Sequence, residues 1–201
     1  LNFVAAVGSL WLSRRLIPVG NSRQPGTEPG PTRVERTRQW LVGVFFAMGA
    51  TSLAYEVLWT RILLFHLGSS VYAYSLMLLL VLLGIGAGSL VASWWVDRLS
   101  SPLQALVWVE LGIGLWIPVQ VLLFQQLDLL ILTAAELIEP TTFARYTVGQ
   151  LLAVLPLLGP PTVLMGSSFP LAVLALNRRS DRIGGDVGRV YGANTLGAVA
   201  G

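Results

Sequence analysis

The chain contains 201 residues, of which 54% are hydrophobic and 11% are charged; because about 25% of the residues in a typical soluble domain are charged, this composition argues against a water-soluble globule. Cysteine is absent, which excludes disulfides, thiolate catalysis and cysteine-based metal sites. All 13 basic residues are arginines and the net charge is +3; since the arginines flank apolar segments, they indicate membrane topology and not a nucleic-acid-binding face.

The N-terminal residues divide into an apolar run and a polar linker. Residues 1–13 are apolar but too short to cross a bilayer, and Arg14 and Arg15 follow them, so we interpret residues 1–15 as the end of a preceding transmembrane helix. Residues 16–38 interleave proline, glycine and arginine and predict a cytoplasmic linker with little order. Because the chain begins inside this run and ends inside another, at residues 187–201, we expect an internal piece of a longer protein.

Two long apolar segments, residues 40–67 and 71–96, predict a transmembrane helical hairpin. Each arm exceeds the roughly 20 residues that cross a bilayer, and the turn between them is so short that the arms must be antiparallel neighbours. Further crossings are predicted for residues 101–124 and 143–176, the latter broken at residues 159–161, and another helix begins near residue 187. Residues 129–137 fit a short interfacial or re-entrant helix. The predicted fold is therefore an all-α, polytopic transmembrane bundle over residues 39–201.

The arginines in the loops predict the orientation of these crossings. Six arginines between residues 14 and 38, Arg98 and the arginines after residue 177 fall on one side if every crossing forms. The opposite side holds the acidic segment 128–139 and only Arg145. By the positive-inside rule, the arginine-rich side is cytoplasmic. We expect an integral protein of a bacterial inner membrane.

Glu56 and Arg61 are unusual in the first predicted crossing. Glu56 shares a helical stripe with Tyr55 and other polar residues. A charged side chain in hydrocarbon costs about 2.5–3.5 kcal/mol or more, so Glu56 is expected to face protein or water. Two alternatives remain open: a proton or substrate relay, and a buried glutamate that fixes the register of a neighbouring helix. Arg61 lies nearer the outer face, where it can snorkel.

Glu110 is a second carboxylate predicted near the middle of a membrane helix. It is a functional candidate by default; it can also pair with Arg61 or Arg145, or be protonated. The prolines between residues 156 and 170 predict a broken helix. In transporters such a break marks a substrate site, here with residues 165–169 as its lining, but kinks are also frequent in helices that bind no ligand. The candidate intramembrane polar or substrate site comprises Tyr55, Glu56, Arg61, Glu110, Ser167 and Asn194.

Small residues recur at four-residue spacing in two predicted helices. The segment from Gly84 to Gly88 superficially resembles a dinucleotide fingerprint but lacks the strand–turn–helix context, so no cofactor is expected. Gly84, Gly88 and Ala92 instead predict a ridge that lets another helix approach closely, and Gly197 and Gly201 repeat the pattern. The chain offers no catalytic residues and no metal-ligand set.

Five motifs occur in order along residues 40–201, and together they resemble the membrane portion of spermidine-synthase-like proteins. Those proteins fuse a major-facilitator-like helical domain to an aminopropyltransferase-type domain. The resemblance implies one major-facilitator-like half, preceded by the end of another. The motifs are Gly49-Ala-Thr-Ser-Leu-Ala-Tyr-Glu-Val-Leu-Trp-Thr-Arg61, Gly68-Ser-Ser-Val-Tyr-Ala-Tyr-Ser75, Leu83-Gly-Ile-Gly-Ala-Gly-Ser89, Met165-Gly-Ser-Ser-Phe-Pro170 and Gly188-Arg-Val-Tyr-Gly-Ala-Asn-Thr-Leu-Gly-Ala-Val-Ala-Gly201.

Two departures limit what the resemblance implies. The family's soluble catalytic domain is not in this chain, so no catalytic residue carries over and any aminopropyl transfer needs a domain outside it. Ser93 also stands where the transporter motif Gly-x-x-x-Asp-Arg has glycine. The leading functional expectation is a membrane module that serves as a scaffold or partner surface and handles a small substrate. The alternatives are a major-facilitator-like transporter of a small solute and an accessory subunit of a larger membrane complex. The expected partners are the lipid bilayer, other transmembrane helices and a small-molecule substrate, without nucleic acid.

Overall fold

The computed structural model describes residues 31–67, 71–95, 98–139, 141–177 and 183–201. Within these ranges the chain folds into helices without a strand, which confirms the all-α prediction. The predicted helix end at residues 1–15 and residues 16–30 of the linker lie outside the described residues. The helices are α1 (Pro31–Leu67), α2 (Val71–Trp95), α3 (Pro102–Gln125), α4 (Leu127–Ile138), α5 (Phe143–Asn177) and α6 (Ile183–Ala200).

Four of these helices are long and apolar enough to cross a membrane. They contain the candidate spans Gln39–Leu67, Val71–Trp95, Pro102–Gln125 and Phe143–Leu176, which match the four complete crossings predicted from the sequence. α1 already begins at Pro31, so residues 31–38 of the predicted linker are helical. Proline is well suited to the first position of a helix, and the arginine and glutamate residues that follow extend the helix readily.

Helix pairing differs from the simple hairpin that the short turn at residues 68–70 suggests. α1 and α2 share only a small contact; α2 packs mainly along α5, and α1 packs mainly along α6. α5 also contacts α3 and α4 and is therefore the central helix of the bundle. The principal partner of each hairpin arm thus lies much later in the sequence.

Glycines bring the backbones of α2 and α5 into close contact. A Cβ atom added to Gly88 would overlap the carbonyl oxygen of Val163, and one added to Gly84 would overlap the Thr162 side chain. On α5, a Cβ atom added to Gly166 would overlap the carbonyl oxygen of Ile85 on α2. Small residues from both helices are therefore required for this approach, as in other tightly packed membrane helices.

The same arrangement joins α1 to α6. Added Cβ atoms on Gly197 and Gly201 would overlap the carbonyl oxygens of Phe46 and Ala50, and one on Gly49 would overlap that of Asn194. The small-residue ridges of α2 and α6 thus lie against helices of this same chain.

α5 is a continuous helix, although it contains Pro156, Pro160, Pro161 and Pro170. The predicted break at residues 159–161 is therefore wrong. A proline has no N–H to donate to the carbonyl four residues earlier, and that carbonyl needs another donor when it lies at membrane depth. The neighbouring helices supply donors at two of these positions.

Pro161 leaves the carbonyl of Leu157 without its usual helical partner. Gln120 Nε2 and Trp116 Nε1, both on α3, donate to that carbonyl at 3.3 Å and 3.4 Å. Pro170 similarly frees the carbonyl of Gly166, to which Ser89 Oγ on α2 donates at 2.8 Å. Tertiary hydrogen bonds therefore replace those that the prolines remove.

α4 is a short helix that packs on α5. It covers Leu127–Ile138, where the sequence predicts a short interfacial or re-entrant helix. Its C-terminal cap is Glu139, whose φ of 49° is left-handed, a conformation that commonly ends helices.

Two apolar clusters occupy different levels of the bundle. One joins the C-terminal part of α1 to α2, α4 and residues 154–158 of α5. The other joins the N-terminal part of α1 to α3, α6 and residues 171–176 of α5. On α5, residues 165–169 lie between the two clusters, and all of them except Ser167 line a cavity.

Candidate functional site

A cavity of about 360 Å³ lies among α1, α2, α3, α5 and α6. Small-molecule sites commonly measure about 300–1,000 Å³, so this volume suits a small solute. Most of the lining is apolar, with a few polar groups distributed over the five helices. These polar residues are Ser52, Ser89, Glu110, Ser168, Tyr191 and Asn194.

Glu110 is the carboxylic acid residue in the cavity wall, and it is only 1% exposed. Ser168 Oγ donates a hydrogen bond to Glu110 Oε1 at 3.1 Å, whereas Glu110 Oε2 has no hydrogen-bond partner in the described part of the chain. Arg61 and Arg145, the partners considered from the sequence, are both exposed. An unsatisfied buried polar atom costs about 1–3 kcal/mol, and more when it is charged. Glu110 Oε2 is therefore a buried oxygen that needs a donor, on a residue that lines the cavity.

Ser168, and not the predicted Ser167, faces Glu110. Ser167 Oγ donates back to the carbonyl of Leu164 at 2.7 Å and is not part of the cavity lining. Adjacent helical residues point about 100° apart, so a shift of one residue moves the side chain out of the site. Of the predicted segment 165–169, the residues other than Ser167 line the cavity, and the sequence does not indicate which face of α5 points inward.

Ser89 and Gly166 are joined by a hydrogen bond in which the Gly166 carbonyl is the acceptor. Both residues line the cavity. The carbonyl to which Ser89 Oγ donates is the one that Pro170 leaves without its helical donor. Sequence reasoning missed Ser89. The proline four residues after Gly166 indicates that a donor is needed there, but it does not indicate which helix provides it.

Aromatic rings form a further part of the wall. Phe45 and Phe169 meet edge to face with centroids 6.5 Å apart, and Phe169 meets Tyr191 in the same way at 6.0 Å. Phe45 is 2% exposed and Tyr191 is 61% exposed. The rings thus run from the interior of the bundle to its surface, with α1, α5 and α6 contributing one each.

The remaining predicted site residues are divided between the cavity and the α1 surface. Asn194 lines the cavity with Glu110. Glu56 instead lines a small, separate groove between α1 and α2. Tyr55 contacts Trp59 with ring centroids 5.4 Å apart and the ring planes tilted by 58°, and Arg61 is exposed. The structure therefore does not bring Glu56 and Glu110 together in one site.

The next question is whether the described residues could hold a metal ion. The residues that the structure describes contain no group of three or more histidine, cysteine, aspartate or glutamate side chains placed to hold a metal ion. Comparison with models of known protein families, with curated proteins and with solved structures finds no match. The residues that line the cavity are therefore the basis for assigning a function.

Proposed function

We propose that this chain is a membrane-embedded helical module that binds a small polar solute in the cavity around Glu110. Four apolar helices of spanning length are consistent with an integral membrane protein. Ionisable groups within membrane helices are costly and usually serve a function. The observation that carries the proposal is that Glu110 Oε2 is buried without a donor, on a residue that lines a cavity large enough for a ligand.

The spermidine-synthase-like assignment is retained as a proposal supported by the five ordered motifs alone. In that interpretation the chain is the membrane scaffold of a larger protein, and its arginine-rich loops lie on the cytoplasmic side of a bacterial inner membrane. The close backbone contacts of α2 with α5 and of α1 with α6 support a rigid scaffold. Aminopropyl transfer would depend on a domain outside these residues.

The transporter and accessory-subunit alternatives have less support. A transport path lined by both Glu56 and Glu110 is not favoured, because these residues lie in separate places. An accessory subunit that docks through its glycine ridges is not favoured either, because those ridges pack on α5 and α1 of the same chain. Solute binding in the cavity requires neither arrangement.

The experiment is a ligand screen on the protein in lipid nanodiscs. A panel of small cationic, neutral and anionic solutes is tested for a rise in the midpoint of thermal unfolding. A ligand at 100 times its Kd stabilises a protein by about 2.7 kcal/mol, so at least one solute should give a clear rise. The Ser52→Leu variant, which places a larger apolar side chain in the cavity wall, should abolish that rise.

Ser75→Leu provides the matched control, because Ser75 is exposed on α2 and does not line the cavity. This variant should respond to the active solute as the unmodified protein does. A panel in which no solute stabilises the protein contradicts the proposal. So does a response that is the same in Ser52→Leu and in Ser75→Leu.

A further inference from the structure

Two hydrogen-bond acceptors on residues that line the cavity can still accept a donor. Glu110 Oε2 has no donor among the described residues. The Gly166 carbonyl has two lone pairs, of which Ser89 Oγ occupies one. The hydroxyl hydrogens of Ser89 and Ser168 are directed into the wall, toward Gly166 and Glu110. A ligand that pairs with these two acceptors therefore brings hydrogen-bond donors.

The charge of the wall also selects a class of ligand. Glu110 lines the cavity, and none of the lining residues is arginine or histidine. An anion would meet a carboxylate without a compensating cation, which is unfavourable in a low-dielectric interior. A divalent metal ion such as Ca²⁺ would need about six to eight oxygen ligands, and this wall offers a single carboxylate. These features favour an organic cation.

The aromatic rings suit the apolar part of such a cation. A cation within about 6 Å of an aromatic face is attracted by the ring quadrupole. Phe45, Phe169 and Tyr191 extend from the buried wall to the exposed surface. A ligand whose carbon skeleton lies along these rings can direct its charged group toward α3 and α5.

We propose that the cavity binds a small monovalent organic ammonium ion, with N–H groups that donate to Glu110 Oε2 and to the Gly166 carbonyl. This inference rests on the proposed function. Because Glu110 Oε2 is buried, the carboxylate must shift for this oxygen to reach the ammonium group. A single carboxylate balances a single positive charge, and a second charge on the ligand would be desolvated without a partner.

Four probes of closely related shape test the inference on the protein in nanodiscs. Benzylammonium has positive charge and N–H donors, benzyltrimethylammonium has only the charge, benzyl alcohol is neutral and benzoate is negative. Affinities are measured by isothermal titration calorimetry. We expect benzylammonium to bind at least about tenfold more tightly than benzyl alcohol, a ratio that corresponds to about 1.4 kcal/mol. We also expect it to bind more tightly than benzyltrimethylammonium, and benzoate to bind least.

Glu110→Gln removes the charge while keeping the size of the side chain. In this variant, the affinity for benzylammonium should fall to about that for benzyl alcohol. Asp128→Asn makes the same chemical change at an exposed position on α4, and there the affinity should not change. If Glu110→Gln fails to fold, the order of the four probes on the unmodified protein still decides the question.

The possible outcomes separate the two proposals. Equal or tighter binding of benzyl alcohol, benzoate or benzyltrimethylammonium overturns the ammonium inference and leaves solute binding standing. Equal loss of benzylammonium binding in Asp128→Asn and Glu110→Gln also overturns it. Absence of binding by all four probes overturns the ammonium inference, and if the broader solute panel is also inactive, the proposed function fails with it.

Discussion

Glu110 illustrates the cost of keeping a carboxylate inside a membrane bundle. One of its oxygens accepts a hydrogen bond from Ser168, and the other has no donor among the described residues. Apolar replacement of such a group commonly leaves stability unchanged or increases it, because the cost of desolvation disappears. A site retained for binding should therefore reduce the stability of the ligand-free protein.

We expect Glu110→Met to raise the midpoint of thermal unfolding. Methionine has a similar shape and needs no hydrogen bond, so the gain should be about 1–3 kcal/mol. Ser168 Oγ keeps its contact with the carbonyl of Leu164, at 3.3 Å. The variant is compared with the unmodified protein by differential scanning fluorimetry in nanodiscs without ligand.

Glu136→Met is the matched control, because Glu136 is exposed on α4. A surface substitution of this kind is expected to change stability by less than about 0.5 kcal/mol. A clear loss of stability in Glu110→Met would instead assign Glu110 a structural role in joining α3 to α5.

At the scale of the helices, close contact depends on the absence of particular Cβ atoms. We expect Gly88→Ala to destabilise the protein, because the added methyl group would overlap the carbonyl oxygen of Val163 on α5. Overpacking typically costs about 1–3 kcal/mol, and a backbone atom cannot move aside as a side chain can. Thermal unfolding in nanodiscs measures the effect.

Gly86→Ala makes the same change two residues earlier in α2. A Cβ atom there meets nothing within 4 Å, and alanine favours a helix over glycine by about 1 kcal/mol. This variant should therefore be as stable as the unmodified protein, or more stable. Equal effects at the two positions would contradict the helix pairing described for α2 and α5.

The sequence predicts the spanning helices and one packing face, but not the course of α5. Length and hydropathy predict the four spanning helices, because each must satisfy its own backbone hydrogen bonds in lipid. The spacing of Gly84 and Gly88 points to a packing face, and both glycines lie against α5. The break at residues 159–161 was predicted wrongly because Gln120, a residue distant in sequence, donates to the freed carbonyl.

Less of the candidate site than of the fold could be predicted from the sequence. Glu110 stands out because a carboxylate in an apolar helix is expensive, and Asn194 lies with it at the cavity. Glu56 has the same chemical signature but lines a separate groove. Which polar residues converge depends on how the helices are rotated and paired, and Ser89 and Ser168 became apparent only from the structure.

At the scale of the whole molecule, the absence of cysteine allows topology to be tested with single introduced cysteines. Two spans separate residue 39 from residue 100, and one span separates residue 100 from residue 142. Gln39→Cys and Ser100→Cys should therefore react with a membrane-impermeant maleimide from the same side, which the arginine distribution predicts to be cytoplasmic. Thr142→Cys should react from the opposite side.

Labelling is measured in sealed vesicles of known orientation, and detergent-solubilised samples serve as the control for reactivity. In detergent all three cysteines should react. Labelling of Gln39→Cys and Ser100→Cys from opposite sides would contradict the predicted number of crossings.

The long separation between α1 and its principal neighbour α6 has a consequence for biosynthesis. More than a hundred residues lie between the end of α1 at Leu67 and the start of α6 at Ile183. At about 5–20 residues per second, a ribosome needs on the order of ten seconds to make that stretch. During that interval α1 resides in the bilayer without the helix against which Gly49 packs, so it reaches its final position only after α6 has been made.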